Sequence, residues 1–265
     1  MPKVSVEGGE IYYEEIGTGA PLIFVSGLSG VGRYWEPQIP LFSGRFRVIT
    51  YDQRGTGASD KLQREFSVDQ MATELAGLMD ALKIARAHIV GLSTGGAIGQ
   101  TLAIEQPGRV DRLVMSSTWT HCDAWFRRLF EARRLMYRQC GPELHAMFHP
   151  LWLYPPDYVN EHDREIDEER KRSVSSAPPV EVSMARIDAL LKFDRRSGLS
   201  RIKASTLIIA SNNDYITPSY YAQSLAQKIP GSRLEMVEGG GHSLSKTRPE
   251  VFNRLVLDFL RSAAE

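Results

Sequence analysis

Short apolar runs recur along the chain, and they predict eight β-strands. In order, the runs are Val4–Val6, Ile11–Ile16, Pro21–Ser26, Phe46–Tyr51, Ala87–Val90, Arg109–Met115, Ala204–Ala210 and Arg233–Val237. Gly8 and Gly9 separate the first two runs, which is typical of a β-hairpin. The third run, PLIFVS, is almost wholly apolar, as expected of a strand that is buried on both faces of a parallel sheet.

Between these strands the apolar residues fall at helical spacing. The clearest predicted helices are Ser67–Leu82, Thr94–Gln106, Tyr220–Lys228 and a last helix from about Pro249 to Ser262. Ser67 and Gln70 form a capping box at the start of the first. Because strands and helices alternate, we expect an α/β fold with a mostly parallel central sheet and helices on both faces.

This alternation breaks between residues 120 and 200, where no strand is evident. Apolar and aromatic residues there lie at helical offsets, and Pro155-Pro156 and Pro178-Pro179 divide the segment. We therefore expect a core made of residues 1–119 and 201–265, with residues 120–200 inserted as a helical cap over one end of the sheet.

Composition narrows the class of protein. The 265 residues include 32 Lys or Arg and 32 Asp or Glu, so no net charge attracts nucleic acid or an anionic membrane. The start of the chain lacks the apolar stretch of a signal peptide, and no apolar run approaches the ~20 residues of a membrane span. We expect a cytoplasmic protein that acts on a small molecule, with Cys122 and Cys140 as reduced thiols. The sequence implies no metal or other cofactor and leaves a homodimer open.

The segment GLSTG contains the clearest candidate for a catalytic nucleophile, Ser93. The G-x-S-x-G pattern is weak alone, but here it follows an apolar strand and opens a helix of small residues. A sharp turn between strand and helix exposes a serine hydroxyl, and the flanking glycines Gly91 and Gly95 leave room for it. An incidental serine in a βα turn is the simpler alternative, and the segment matches neither common nucleotide-binding pattern.

A serine nucleophile needs a base and an acid. Of the six histidines, only His242 lies late in the chain in a glycine-rich loop after a strand. Asp214 follows the strand ASTLIIA, at the edge of the sheet where ligands collect in α/β proteins. The order Ser93, Asp214, His242 is the order expected of a hydrolase with this turn.

Two backbone amides would stabilise the oxyanion. One belongs to Thr94, the residue after the nucleophile, and the other to the loop SGLSG, where Leu28 is the best candidate.

The cap is expected to select the substrate. Five residues are candidates for substrate binding: Trp119, Trp125, Arg128, Trp152 and Tyr154. The aromatic rings could instead pack the cap onto the core. Arg128 is chosen from four arginines, with Arg127, Arg133 and Arg134, one of which we expect to pair with a substrate carboxylate; a solvated helix face is the alternative for each.

Taken together, SGLSG, YDQRGTGASD, GLSTGG, NNDYITP and GGGHS resemble the α/β-hydrolase superfamily over the whole chain. The segments SGLSGVGRYWEPQ, FRRLFEARRLMY and LWLYP are most similar to the aminoacrylate-hydrolase branch of pyrimidine degradation and, more loosely, to enol-lactone hydrolases. The resemblance implies an α/β-hydrolase fold without a metal. Members of that branch can lack the serine nucleophile, whereas this chain has Ser93.

We therefore expect a serine hydrolase that cleaves an ester, lactone, amide or enamide of a small, acidic metabolite through an acyl-enzyme on Ser93. Three alternatives stay open: an enamine hydrolase of the aminoacrylate type, a receptor that binds a small molecule with little turnover, and a cofactor-free haloperoxidase or perhydrolase.

Overall fold

The computed structural model describes residues 2–61 and 66–261. Eight strands form one sheet: β1 (Lys3–Val6), β2 (Gly9–Ile16), β3 (Ala20–Val25), β4 (Phe46–Tyr51), β5 (Ala87–Leu92), β6 (Val110–Ser116), β7 (Ser205–Ser211) and β8 (Arg233–Val237). All eight strands predicted from the apolar runs are confirmed, and their ends differ from the prediction by at most a few residues.

The strand order is β1-β2-β4-β3-β5-β6-β7-β8. β1 and β2 form the predicted antiparallel hairpin, and β2 pairs antiparallel with β4. Every pairing from β4 to β8 is parallel. The carboxyl ends of these six strands therefore lie along one edge of the sheet, which is where ligands bind in open α/β folds.

The position of β3 in the sheet explains why its residues are apolar on both faces. Ile23 and Val25 belong to one buried cluster, and Leu22 and Phe24 belong to the cluster on the opposite face. Successive side chains of a strand point to opposite faces, so a strand between two layers of helices needs apolar residues at every position.

Ten α-helices surround the described sheet: α1 (Ile39–Ser43), α2 (Val68–Ala81), α3 (Thr94–Glu105), α4 (Ala124–Leu153), α5 (Pro156–Glu161), α6 (Asp163–Ser175), α7 (Val180–Leu191), α8 (Tyr220–Lys228), α9 (Leu244–Thr247) and α10 (Pro249–Arg261). Ser67 caps α2 as predicted, because its hydroxyl accepts from the Gln70 amide at 3.0 Å. The last helix is confirmed to Arg261, and its predicted end at Ser262 lies outside the described residues.

Helices α4 to α7 lie between β6 and β7. α4 is interrupted at Gly141, whose φ is 76°. Phe126 and Phe130 of α4 and Ile187 of α7 are buried in the same apolar cluster as one face of the sheet. This segment therefore shares the main core, and its role as a cap over the catalytic edge stays a prediction. Among the described helices, none has the length and apolar character needed to cross a bilayer.

Candidate active site

Ser93 lies in the sharp turn between β5 and α3, with φ 53° and ψ −115°. A residue with a Cβ rarely adopts this conformation, which costs on the order of 1–3 kcal/mol. The turn is held from outside: the Ser93 amide donates to the Ser116 carbonyl at 2.8 Å, and the Thr118 hydroxyl donates to the Ser93 carbonyl at 2.7 Å. Strain that neighbouring groups sustain in this way is typical of functional sites.

The glycines on either side of the turn have no room for a side chain. A Cβ on Gly91 would overlap the Gly95 carbonyl, and a Cβ on Gly95 would overlap the carbonyl of Val25 in β3. The glycines of G-x-S-x-G are therefore required by the close approach of α3 to β5 and β3, as the sequence indicated.

The backbone strain gives a prediction about stability. We expect Ser93→Gly to have a free energy of unfolding about 1 kcal/mol above that of Ser93→Ala, because glycine alone adopts φ 53°, ψ −115° without strain. Chemical denaturation of the two variants measures the difference. Ala132, exposed within α4, is the control, because Ala132→Gly should lower the free energy of unfolding by about 1 kcal/mol. Equal stability of the two Ser93 variants would contradict the strain.

His242 and Asp214 form a buried pair at the same edge of the sheet. Nδ1 of His242 lies 3.0 and 2.9 Å from the two carboxylate oxygens of Asp214. A carboxylate only accepts hydrogen bonds, so Nδ1 donates and Nε2 is left as the basic nitrogen. Asp214 also accepts from the Ile216 amide at 2.8 Å, from the Thr217 amide at 2.9 Å and from the Thr217 hydroxyl at 2.8 Å. The carboxylate is thereby held in one orientation toward the imidazole.

Two asparagines join the loop of the acid to the loop of the base. Oδ1 of Asn212 accepts from the Gly239 amide at 2.9 Å, and Oδ1 of Asn213 accepts from the Gly241 amide at 2.8 Å. The His242 amide donates in turn to the Leu153 carbonyl at the end of α4, at 2.9 Å. In the sequence, the segment NND indicated only a turn beside Asp214. Nothing in the neighbouring residues shows that the two asparagine side chains bind the loop that follows the next strand, β8.

The strand register brings Ser93 to the edge that carries this pair. Leu92 pairs with Ser116, and Ser116 pairs with Ile209, so β5 and β6 end level and β7 extends two residues further at the same edge. Among the described residues, no hydrogen bond joins Ser93 Oγ to the His242 ring. Such bonds are often long without substrate and shorten only when the substrate is bound.

The loop after β3 lies against the nucleophile. A Cβ built on Gly27 would be 3.4 Å from Cβ and 3.9 Å from Oγ of Ser93. Among the described residues, the Leu28 amide has no hydrogen-bond partner. The Thr94 amide lies in the first turn of α3, where helix geometry leaves N–H groups unpaired. These are the two amides that the sequence predicted as oxyanion donors.

The five predicted substrate-binding residues lie in different surroundings. Trp119 is fully buried and stacks on Phe126 with ring centroids 4.5 Å apart, so its ring is part of the core. Trp125 is 38% exposed, and its Nε1 donates to the carbonyl of Tyr215, which follows Asp214. Arg128 is exposed on α4.

Trp152 and Tyr154 lie closest to the base loop. They flank Leu153, whose carbonyl accepts from the amides of both His242 and Ser243. Tyr154 is buried and accepts a hydrogen bond from Lys246 at 3.3 Å. Trp152 is half-buried beneath the Arg133 guanidinium.

Arg133, rather than Arg128, is the buried arginine of α4. Only 3% of it is exposed, and its guanidinium lies 4.8 Å from the ring centroids of both Phe130 and Trp152. Among the described residues, no carboxylate forms an ion pair with it, and its buried Nε has no hydrogen-bond acceptor. Burial lowers the pKa of Arg133 to about 10 with no anion to oppose the effect, and the group still carries its charge at neutral pH.

Two histidines of α4 surround this cation without adding charge. Burial and the charge of Arg133 lower the pKa of His145 to about 3. Burial also lowers the pKa of His149 well below its usual value, and the neighbouring charge of Arg133 lowers it further. At neutral pH the positive charge beside both rings is that of Arg133, and Lys246 adds a second one near His149.

The spacing along α4 could have identified Arg133. Phe126, Phe130 and Tyr137 are the buried aromatic residues of α4, and Arg133 falls on the same helical stripe as these three. Arg127 and Arg128 fall off that stripe, and Arg134 lies at its edge, half-buried. An arginine at a position where the pattern demands an apolar side chain is the signal that the sequence analysis passed over.

Residues 20–249 match the family model of the alpha/beta hydrolase fold, and the chain belongs to this family. A RutD protein of Azorhizobium caulinodans, provisionally named a carbamate hydrolase, is 36% identical over 98% of both chains. A RutD protein of Caulobacter vibrioides with the same provisional name is 37% identical over 97% of this chain and 94% of its own. The crystal structure of the enol-lactonase from Burkholderia xenovorans LB400 superposes with a TM-score of 0.92 at 27% identity, covering 98% of this chain and 100% of that one.

These similarities confirm the resemblance that the motifs indicated, both to the α/β-hydrolase family and to its aminoacrylate-type and enol-lactonase members. They identify the chain as a hydrolase. Within the described residues, no cluster of three or more His, Cys, Asp or Glu side chains could hold a metal ion.

Proposed function

We propose that the chain is a serine hydrolase that opens an ester, lactone or carbamate of a small acidic metabolite through an acyl-enzyme on Ser93. The observation that supports this most is the combination of a strained, buried Ser93 at the end of β5 with the bonded pair of His242 and Asp214 on the same edge. A serine hydroxyl needs such a base to become nucleophilic at neutral pH.

In this proposal Ser93 Oγ attacks the substrate carbonyl and transfers its proton to Nε2 of His242. Asp214 keeps the imidazole in the tautomer with its proton on Nδ1 and stabilises the imidazolium that forms. The amides of Thr94 and Leu28 donate to the oxygen as it becomes an oxyanion. The imidazolium then protonates the leaving group, and water removes the acyl group from Ser93 by the same steps in reverse order.

A partitioning experiment tests the acyl-enzyme. Esters that share one acyl group and differ in leaving group are hydrolysed in the presence of methanol, and the ratio of methyl ester to free acid is measured. A common acyl-enzyme requires the same ratio from every ester, because the leaving group has already departed. Ratios that follow the leaving group, or no methyl ester at all, would contradict the intermediate. A stable complex with near-zero turnover would favour a receptor instead.

The proposal that the substrate is acidic depends on Arg133. A buried cation is costly unless an anion or several acceptors compensate it, and Arg133 has neither among the described residues. Trp152, which stacks on Arg133, precedes Leu153, whose carbonyl binds the amide of His242. A substrate with its carbonyl at Ser93 and a carboxylate directed toward α4 would supply the missing anion. We therefore assign the carboxylate contact to Arg133 in place of Arg128.

The assignment predicts a selective change in KM. Arg133→Met keeps an unbranched apolar stem and removes the charge, so we expect KM for an acidic ester to rise about 10- to 100-fold, the usual value of a charge-assisted pair. KM for the corresponding methyl ester should change little. Arg128→Met, on the exposed side of the same helix, is the matched control and should leave both unchanged. Equal KM changes for the acid and its methyl ester would contradict a carboxylate contact.

Carbamates belong in the substrate panel because the RutD relatives are provisionally named carbamate hydrolases. Attack of Ser93 on the carbonyl carbon of a carbamate ester would expel the amine with the proton that His242 donates, and water would then release the alkoxycarbonyl group left on Ser93. Enol-lactones belong in the same substrate panel because the structure superposes on that of the Burkholderia enol-lactonase.

A further inference from the structure

Arg186 of α7 is a second buried arginine, and its hydrogen bonds all reach the core. It is 1% exposed. Nη1 donates to the Arg54 carbonyl at 3.0 Å, and Nη2 donates to the Leu28 carbonyl at 3.0 Å and to Oε1 of Gln53 at 2.7 Å. Among the described residues, no carboxylate forms an ion pair with it. The three hydrogen-bond acceptors of the guanidinium are therefore neutral, and one of them lies in the loop beside Ser93.

The first three carbonyls of the loop after β3 are each fixed by a hydrogen bond. The Ser26 carbonyl accepts from Nε2 of Gln53 at 2.7 Å, and the Gly27 carbonyl accepts from a backbone amide in a tight turn at 3.0 Å. The Leu28 carbonyl accepts from Arg186. Arg186 thus binds this loop in two ways. It donates directly to the Leu28 carbonyl, and it donates to the side-chain oxygen of Gln53, whose side-chain nitrogen donates to the Ser26 carbonyl.

The peptide that contains the Leu28 amide lies between these bonds. This peptide also contains the Gly27 carbonyl, which the Gly30 amide holds, and the peptides on either side are held through the carbonyls of Ser26 and Leu28. All three bonds together therefore set the direction of the Leu28 N–H. The loop sequence SGLSG has two glycines, and the side-chain bond from the Ser26 hydroxyl to the Val31 carbonyl, at 2.7 Å, does not involve the Leu28 peptide. An oxyanion donor must lie within a few tenths of an ångström of its place to be effective.

We propose that Arg186 is a positioning residue that directs the Leu28 amide toward the oxyanion, so that α7 sets the geometry of the oxyanion hole. This inference rests on the proposed serine mechanism. Arg186 touches neither Ser93 nor the reacting atoms, and it acts through the Leu28 carbonyl and Gln53. Because α7 belongs to the segment inserted between β6 and β7, a movement of this helix would be transmitted directly to a catalytic amide.

The test compares Arg186→Met with Arg134→Met on a small neutral ester. Methionine keeps the apolar stem and removes all three donated bonds. Arg134 pairs with Asp188 of α7 at 2.8 Å, so its replacement weakens the contact between α4 and α7 without touching the loop. We expect kcat of Arg186→Met to fall about 10- to 100-fold, within the loss that a missing oxyanion donor causes, with KM changed less than about twofold. Arg134→Met should retain the wild-type kcat.

A second variant covers the case in which Arg186→Met does not fold. Arg186→Lys keeps one donor to the loop and is expected to recover part of kcat at unchanged KM. The rate of labelling by a fluorophosphonate, which resembles the tetrahedral state, should follow kcat across the variants, whereas the affinity for the product acid should not.

The outcomes are distinct. If folded Arg186→Met or Arg186→Lys has wild-type kcat, or if Arg134→Met loses kcat to the same extent, the positioning role is overturned and Arg186 only anchors the helix. If the wild-type chain is not labelled at Ser93, the serine mechanism itself fails, whatever the variants do.

Discussion

Replacing Ser93 with alanine should lower kcat on any ester by at least about 10³-fold, because loss of a triad nucleophile removes the covalent route. The residual rate would come from the oxyanion donors acting on water. The structure predicts that the variant folds, since alanine retains the Cβ that the turn already accommodates. Steady-state hydrolysis of a p-nitrophenyl ester, with circular dichroism to verify the fold, measures the effect.

Ser117 provides a matched control for this replacement. It is also a buried serine with positive φ, 48°, and it lies at the carboxyl end of the neighbouring strand β6. Ser117→Ala changes the same atom in a similar backbone environment without removing a triad member, so kcat should stay within a few-fold of wild type. A comparable loss in both variants would mean that the edge of the sheet, rather than the Ser93 hydroxyl, determines activity.

Asp214→Asn is expected to lower kcat by about 10³- to 10⁴-fold while the fold is retained. An asparagine amide in place of the carboxylate favours the tautomer with the proton on Nε2, and a protonated Nε2 accepts no proton from Ser93. The backbone amides of Ile216 and Thr217 both donate to Oδ1, so the asparagine must keep its oxygen at that position. Its NH2 group then takes the place of Oδ2, beside Nδ1 of His242. The measurement is the kcat of the variant across pH 6–9.

Asp194→Asn is the control for the charge change. Asp194 pairs with Arg196 on the surface, and 46% of its side chain is exposed, so its loss should leave kcat unchanged. A wild-type kcat in Asp214→Asn would contradict the role of Asp214 as the residue that orients His242.

The strands and the site motifs were predictable from the sequence for one reason. A parallel strand between two helical layers needs apolar residues at nearly every position, so β3, β4, β5 and β7 appear as continuous runs. The turn at Ser93 needs glycine on both sides, because a Cβ at Gly91 or Gly95 would overlap backbone. Such requirements are local, and they leave a mark in adjacent residues.

The contacts that join distant loops left no such mark. Asn213 binds a glycine amide of the loop that carries His242, and Arg186 binds a carbonyl 158 positions earlier in the chain. Each partner is a backbone group, which is the same in every residue. For Arg186, the trace in the sequence is its position on the buried face of a helix, which Val182 and Leu190 mark.

The positions of Arg128 and Trp119 differ from those expected of substrate-binding residues, because Arg128 is exposed and Trp119 is buried in the core. Aromatic and basic residues at helical offsets predicted a binding face but did not say which side of α4 turns inward. The structure turns Phe126 and Arg133 inward and leaves Arg128 exposed, because the stripe that includes Tyr137 packs against the core. Only the packing of α4 determines which arginine is buried.

Covalent labelling at Ser93 tests the central proposal most directly. The purified chain is treated with a fluorophosphonate, its esterase activity is followed to completion of labelling, and the modified peptide is mapped by mass spectrometry. The account predicts one label per chain on Ser93, loss of activity in proportion to labelling, and no label on Ser93→Ala. Full ester turnover in a chain that remains unlabelled at Ser93, or inactivation through a label elsewhere, would contradict it.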